Sequence, residues 1–449
     1  MLPVFRRAFI DPLLAIKSRS PRYRYWKYLE KTQYLPEEEL LKIQWKRLKT
    51  LLIFSYENNK YYRELFDRIG AKPNDIYEPA DLKKLPILRK SDIQSNAEKM
   101  ITKGYTPSRL LKFKTGGSTG TSLELYITEE CSELRNACAR RHDRWSGWEV
   151  GEPVGALWGN PVLPTDLKSK FKNRVITPFI YLDTMRISDE TVMKFVWEWR
   201  RIRPTILFGH AHSIYIFARF LEKMGIREVR PKGIISTSMM LLPSERAFIE
   251  KNIGVKVYDR YGCEEVSLIA SECERHEGMH LNVEHLFVEF LKEDGSDASE
   301  GELGKIIVTD LMNRAMPFIR YQVEDVGVPT KQKCSCGRGL PLMNSLTGRI
   351  ADFLVHRDGS MVAGISLIEN TLTAISGIVQ MQIIQEDIDT IQLKVVVTDA
   401  FDSDNRSRLI AYFESLFGKG TSVKIVILPE ILPEKSGKYR FSICKIPNC

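Results

Sequence analysis

The sequence predicts an α/β protein with a large N-terminal domain of mixed and parallel sheets and a small α+β C-terminal domain, on three observations. Between residues 130 and 285 short apolar runs alternate with helical patterns, as in a largely parallel sheet covered by helices. Strands at 286–290 and 305–309, joined by an Asp/Gly/Ser turn region, mark an antiparallel part. After Gly348-Arg349 the character changes, and about a hundred residues remain for a compact module. The expected division is 1–349, with a helical region over about 1–105, and 350–449.

Composition agrees. The chain has 449 residues, 43% hydrophobic and 27% charged, which is ordinary globular material for two or three domains. No apolar run approaches membrane-spanning length. Eight unevenly spaced cysteines do not make a disulfide framework at this size, which points to the cytoplasm. The net charge of +9 raises nucleic acid or an anionic surface as partners.

Taken in order, residues 1–20 set Arg6, Arg7, Lys17 and Arg19 around short apolar pieces, without the h-region or cleavage site of a secretory signal. Arg22-Tyr23-Arg24-Tyr25-Trp26-Lys27-Tyr28 interleaves bases with aromatics. Such a string can bind phosphates and stack on bases. It also makes an amphipathic helix with snorkelling arms, the reading preferred here. No nucleic acid is expected, and peripheral contact with anionic lipid stays open. Over 37–69, Leu40, Ile43, Leu48, Leu51, Leu52, Tyr56 and Leu65 recur at helical spacing. Residues 79–93 are a connector carrying Leu85-Pro86-Ile87-Leu88-Arg89-Lys90-Ser91-Asp92.

Next comes Lys114-Thr115-Gly116-Gly117-Ser118-Thr119-Gly120-Thr121-Ser122, followed by alternating Leu123, Leu125 and Ile127. The alternation has the period of a half-buried strand, so the glycine-rich part is a loop leading into a strand, as in a hairpin. Glycine lets the backbone approach a ligand, and successive N–H groups with added hydroxyls suit a polyphosphate. A P-loop would need Gly-Lys-Ser/Thr and a helix. Gly116, Ser118 and Gly120 also spell the nucleophile elbow of a serine hydrolase, but that device runs from strand to helix.

Helices are then expected over 130–145, 189–202, 212–224 and 243–252, and strands over 154–158, 205–208, 233–236 and 256–258. Ligand sites in such a sheet lie at the carboxyl ends of the strands. Residues 158–160, 208–210 and 236–240 are therefore candidates for a substrate pocket. The last module reads as helix 366–375, strands 379–385 and 390–397, helix 405–417 and strand 423–428.

Four further strings carry chemistry. Arg260-Tyr261-Gly262-Cys263-Glu264-Glu265 offers a ring that can stack on a purine, a glycine against which a nucleotide can lie, and carboxylates for Mg²⁺. Met316-Pro317-Phe318-Ile319-Arg320-Tyr321-Gln322-Val323-Glu324-Asp325 and Gly348-Arg349-Ile350-Ala351-Asp352 bring acids beside arginines. Lys435-Ser436-Gly437-Lys438 puts a point charge on a glycine turn, able to reach a phosphate. Separately, Cys273 and His280 with Cys334-Ser335-Cys336-Gly337 can close a tetrahedral Cys₃His structural zinc site, with His276 as the alternative to His280.

In this order and spacing the strings resemble the adenylate-forming superfamily, in its phenylacetate–CoA ligase, coenzyme F390 synthetase and CapK branch, over essentially the whole chain. The resemblance implies a phosphate loop at Thr115, Gly116, Gly117, Ser118, Thr119, Gly120 and Thr121. It implies nucleotide contacts at Tyr261, Gly262, Cys263 and Glu264, Mg²⁺ on Glu265, the ribose hydroxyls on Asp325, and ribose or phosphate on Arg349. Asp352 becomes the hinge of a mobile C-terminal domain, and Lys438, with Lys435 as alternative, the catalytic lysine. Some members of the branch carry a similar Cys/His cluster. Departures fall at Glu264, Glu324 and Ala351, where Thr/Ser, Gly and Asp are usual.

The function implied is ATP-dependent activation of a carboxylic acid as its adenylate, with acyl transfer to coenzyme A or to an amine or hydroxyl acceptor, in capsular or exopolysaccharide synthesis. The rivals are a non-catalytic nucleotide-binding protein of a polysaccharide assembly and a serine hydrolase using Ser118.

Overall fold

The computed structural model describes residues 2–114, 123–158, 166–167, 171, 173, 176, 178–183, 187–349, 353–357, 361–363, 367–368, 371–372, 374–432 and 440–446. The N-terminal region is helical. Helices Leu2–Phe5 and Asp11–Lys17 are joined by a π-helical turn, Arg6–Ile10, and Arg22–Thr32 follows. The span expected as one helical stretch over 37–69 is two helices, Glu37–Asn58 and Lys60–Arg68. Asn59 breaks it: its backbone is extended, and its side chain accepts the Tyr62 N–H at 3.2 Å as an N-cap. Leu48, Leu51 and Leu52 of the first helix bury against Tyr62, Leu65 and Phe66 of the second.

The strands are, in order, β1 (Leu111–Lys114), β2 (Glu124–Ile127), β3 (Val154–Trp158), β4 (Phe179–Asp183), β5 (Ile206–His210), β6 (Gly233–Thr237), β7 (Val257–Cys263), β8 (Ser267–Glu272), β9 (Met279–Leu281), β10 (Leu286–Leu291), β11 (Gly304–Asp310), β12 (Tyr321–Pro329) and β13 (Leu342–Arg349). β1 and β2 form their own antiparallel hairpin, while the rest make an eleven-stranded sheet ordered β10-β11-β12-β13-β9-β8-β7-β6-β5-β3-β4. Within this sheet parallel pairing runs from β4 to β7. The sheet becomes antiparallel because β7 turns straight back over 264–266 into β8, a connection too short for a parallel crossover.

Helices Asp189–Ile202, Ala211–Lys223 and Pro243–Ile253 supply the crossovers and bury Phe195, Trp199, Ile214, Phe217 and Ile249 on the sheet. Gly155 of β3 permits this approach, since a Cβ there would lie 2.5 Å from the Trp199 ring.

The C-terminal part has a short hairpin, β14 (Phe353–Val355) with β15 (Met361–Ala363). Beyond it, β16 (Ile378–Asp387), β17 (Thr390–Val397), β18 (Ser422–Ile427) and β19 (Ser442–Cys444) form a separate sheet, ordered β18-β17-β16-β19. Helix Ser403–Phe417 covers it through Leu409, Phe413 and Phe417. The helix expected over 366–375 lies partly outside the described residues. Among the described residues no helix is long and apolar enough to cross a membrane.

Candidate functional site

The glycine loop, residues 115–122, lies outside the described residues, but its two stems are placed. Lys114 pairs with Glu124, so the loop closes an antiparallel hairpin, which is neither the strand-to-helix turn of a nucleophile elbow nor that of a P-loop. Leu123 and Leu125 sink into the same apolar cluster as Tyr261 and Tyr321, and the Asn313 side-chain amide donates to the Tyr126 carbonyl at 3.1 Å. The hairpin is thereby seated over β7 and β12.

Gly262 near the end of β7 has no room for a side chain, since a Cβ would meet the Ser267 carbonyl oxygen at 2.5 Å. Tyr261 beside it is enclosed by the core, and its hydroxyl donates to Asp325 Oδ2 at 3.0 Å. The ring is thus a buried strut under Asp325 rather than the open stacking platform read from the motif. At the hairpin tip Glu264 is exposed, while Glu265 is half-buried and accepts the Tyr321 hydroxyl at 3.0 Å. Burial, reinforced by the carboxylates of Glu265 and Asp325, holds the Cys263 thiol well above its ordinary range, so it stays protonated.

Asp325 stands opposite Arg349 in the β12–β13 pair, and the register slips there because Val326 pairs with Thr347. The extra residue, Gly348, makes a bulge of the kind that re-aims a strand beside a site. Asp352, Lys435 and Lys438 lie outside the described residues.

Two positioning arginines were not legible as such in the sequence. Arg135, on helix Glu129–Trp145, pairs with buried Asp310 at 2.7 Å and donates to the Glu265 carbonyl at 2.8 Å. Arg320 is buried with φ 56°, pairs with Glu289 at 3.0 Å, and donates to the Leu85 carbonyl. Leu88 N–H donates to the Arg320 carbonyl at 2.9 Å, and Gln322 N–H to the Leu88 carbonyl at 3.0 Å. The Leu85–Leu88 string is therefore a clip that fixes Arg320 and Tyr321.

At the carboxyl ends of β3 and β5, Trp158 stacks on Phe208 with centroids 5.4 Å apart and leans on His210 at 4.1 Å. Gly159 and Asn160 are outside the described residues, and Ser236 turns to Asp259 at 2.8 Å instead. Just past β5, His212 pairs with Glu245 at 2.6 Å and meets Gln380 of the C-terminal sheet at 3.4 Å. Its ring lies 6.0 Å from that of Phe441, which shortly follows the lysine-bearing string. The carboxyl edge of the large sheet and the chain leaving that string are thus neighbours.

The ligand atoms of Cys273, His280, Cys334 and Cys336 all lie within 4.8 Å of one another. His280 engages the Leu340 carbonyl through Nδ1 at 3.1 Å, which leaves Nε2 facing Cys336 Sγ at 3.4 Å. Backbone N–H groups of Arg275 and Arg338 point at Cys273 Sγ and Cys336 Sγ at 3.5 and 3.4 Å. Donors around the sulfurs and a fixed imidazole tautomer are the outer shell a zinc site requires. His276 turns away to Glu272 at 3.2 Å, so His280 completes the set. Burial keeps His280 neutral, lowering it to about 4.

The described architecture is similar to that of an adenylate-forming CoA ligase, 2-hydroxyisobutyryl-CoA ligase in its postadenylation state with R3-HIB-AMP. The two superpose with a TM-score of 0.73 and 18% identity over 93% of this chain and 92% of that one. Homologues of the chain include CapK and phenylacetate–CoA ligases. Protein CapK of Staphylococcus aureus is 24% identical over 98% of this chain and 97% of its own, and the phenylacetate-coenzyme A ligase of Thermus thermophilus is 24% identical over 83% and 85%. Residues 354–445 match the family described as the CapK C-terminal domain. The resemblance read from the motifs is borne out.

Proposed function

We propose that this chain is an ATP-dependent carboxylic acid ligase: it joins an acid to AMP with release of pyrophosphate, then passes the acyl group to coenzyme A or to an amine or hydroxyl. One observation carries the reading. Two bonded pairs, Tyr261–Asp325 and Tyr321–Glu265, bring carboxylates from β12 and from the β7–β8 turn into one region beneath the glycine hairpin.

In that region the 115–121 loop would hold phosphates on its N–H groups and Asp325 would accept the ribose hydroxyls. Purine stacking on Tyr261 would require the enclosing residues to part. Glu265 fits Mg²⁺, because its side chain is half-exposed and Tyr321 fixes one carboxylate oxygen. Arg349 would meet ribose or phosphate. Lys438 would offset charge on the α-phosphate during attack by the carboxylate. Asp352 would be the pivot of a C-terminal domain spanning 350–449, and the Cys/His cluster would hold zinc with no open position, a structural role. Use of the acyl group in capsular or exopolysaccharide synthesis is supported by the likeness to CapK along nearly the full chain.

Exchange of labelled pyrophosphate into ATP, screened across aromatic, fatty, hydroxy and amino acids, tests the reading. One class of acid is expected to support exchange, and Lys438→Ala to lose it while still transferring acyl groups from preformed adenylate. ATP binding without exchange for any acid would favour the non-catalytic alternative.

A further inference from the structure

The N-terminal helical segment is built inside out. Its inward side is polar: Arg6 donates to the Gly151 carbonyl at 2.9 Å, and Asp11 makes a two-pronged pair with Arg140 of helix Glu129–Trp145. Arg7 adds an ion pair to Glu149 at 3.1 Å. Beneath these anchors lies a cavity of about 950 Å³, lined by Arg6, Asp11, Arg22, Glu133 and Arg140 among others.

The bulkiest apolar residues of this segment are turned to solvent. Phe5 is 51%, Phe9 57%, Leu13 64% and Ile16 73% exposed, at steps of four, four and three, and Val4 stands beside them at 57%. That spacing is one face of a helix. The π-helical turn Arg6–Ile10 ends at Asp11, whose N–H reaches the Arg6 carbonyl, and so absorbs Pro12, which has no donor to continue an α-helix. A helix meant for the core would show the opposite arrangement.

Charge decides what covers this face. Residues 1–31 hold eight Lys/Arg against two Asp/Glu, so they carry +6 of the chain's +9. The acid within the helix, Asp11, is turned inward, while Lys17 and Arg19 are exposed at its end. A second copy of the chain would bring an equally basic surface to meet it, and like charges repel. An apolar stripe ending at Lys17 and Arg19, which pair with no acid among the described residues, is complementary to an anionic bilayer.

We propose that this helix seats the protein on an anionic membrane surface, with Phe5, Phe9, Leu13 and Ile16 at the acyl boundary and Lys17 and Arg19 at the phosphates. The helix lies on the membrane and does not cross it, consistent with the absence of any spanning helix among the described residues. It packs near the start of β3 and along helix Glu129–Trp145, on residues outside those assigned to the candidate site.

The test is sedimentation of the full chain with vesicles of phosphatidylcholine, alone or with a third phosphatidylglycerol, at 0.1 and 0.5 M salt. Binding is expected only with phosphatidylglycerol, weakened several-fold by the higher salt. Phe9→Glu with Leu13→Glu is expected to weaken it at least tenfold, with circular dichroism and pyrophosphate exchange unchanged. Lys17→Ala with Arg19→Ala, which leaves the apolar stripe and the anchors intact, should also weaken it about tenfold. No binding to anionic vesicles, or binding by both double variants as strong as that of the native chain, overturns the proposal. A dimer in analytical ultracentrifugation that Phe9→Glu with Leu13→Glu dissolves, without vesicle binding, would assign the face to a second copy.

Discussion

Tyr261→Phe removes one hydroxyl from the middle of the candidate site. In the folded chain it donates to Asp325 Oδ2 at 3.0 Å, and both residues are buried. A hydrogen bond to a charged group contributes about 1.5–3 kcal/mol net. Loss of the bond therefore lowers stability by about 2 kcal/mol, read from chemical denaturation. If Asp325 receives the ribose, a carboxylate that has lost this bond also costs binding, and about 1.4 kcal/mol of it raises the KM for ATP tenfold. The assay is pyrophosphate exchange with ATP and with 2′,3′-dideoxy-ATP, which lacks the hydroxyls Asp325 would meet. Tyr261→Phe and Asp325→Asn should each raise the KM for ATP and leave that for the dideoxy analogue nearly unchanged. Because both changes act through one bond, the double variant should be no worse than Asp325→Asn. Losses that multiply, or an equal penalty on the dideoxy analogue, would refute the strut argument.

Two predictions concern groups away from the nucleotide region. Protein purified without chelator should carry one zinc per chain by elemental analysis, and removing it should lower the melting temperature by several degrees. Free zinc a thousandfold above Kd contributes about 4 kcal/mol, and Cys334→Ser, which deletes one ligand of the buried cluster, should abolish both metal and shift. His285 is buried with both ring nitrogens lacking a partner among the described residues, and burial lowers it to about 4 from the ordinary 6.5. A base lowered by folding gives up stability as pH falls, because the unfolded chain binds its proton first. Its contribution is complete above about 6.5 and lost toward about 4, with a slope of up to about 1.4 kcal/mol per pH unit. His285→Phe should remove that slope, so the variant gains on the native chain between pH 6.5 and 5; parallel profiles would exclude His285 as the titrating group.

What was legible in the sequence was what has a short period. The hydrophobic spacing along 189–202 matches helix Asp189–Ile202 residue for residue, and the alternation at Leu123, Leu125 and Ile127 marks β2. β9 is three residues long and β8 is half polar, so neither offers a repeat to detect. Contacts that cross the fold leave no local trace. Tyr261 and Asp325 are 64 residues apart, Arg135 and Asp310 are 175, and only the resemblance gave the first pair a common purpose. The zinc ligands show the same limit: spacing offered His276 and His280 alike, and the choice fell to Glu272, which claims His276 from across the β8–β9 turn.

The N-terminal helix marks a different boundary. A helical period says which residues share a face, but not which face meets the body of the protein. Phe5, Phe9 and Leu13 would ordinarily be assigned to the core, because burying one such side chain gains about 1.5–3 kcal/mol. What reverses them is distant: Arg140 and the Gly151 carbonyl claim Asp11 and Arg6, and these charge-assisted bonds turn the polar side of the helix inward. The exposed stripe is thus held out by its own anchors, and its apolar area stays in water until a second surface covers it. Such a face is costly in an isolated chain and gains free energy at an interface. Its orientation is therefore evidence about surroundings, which no local reading of residues 1–20 contains.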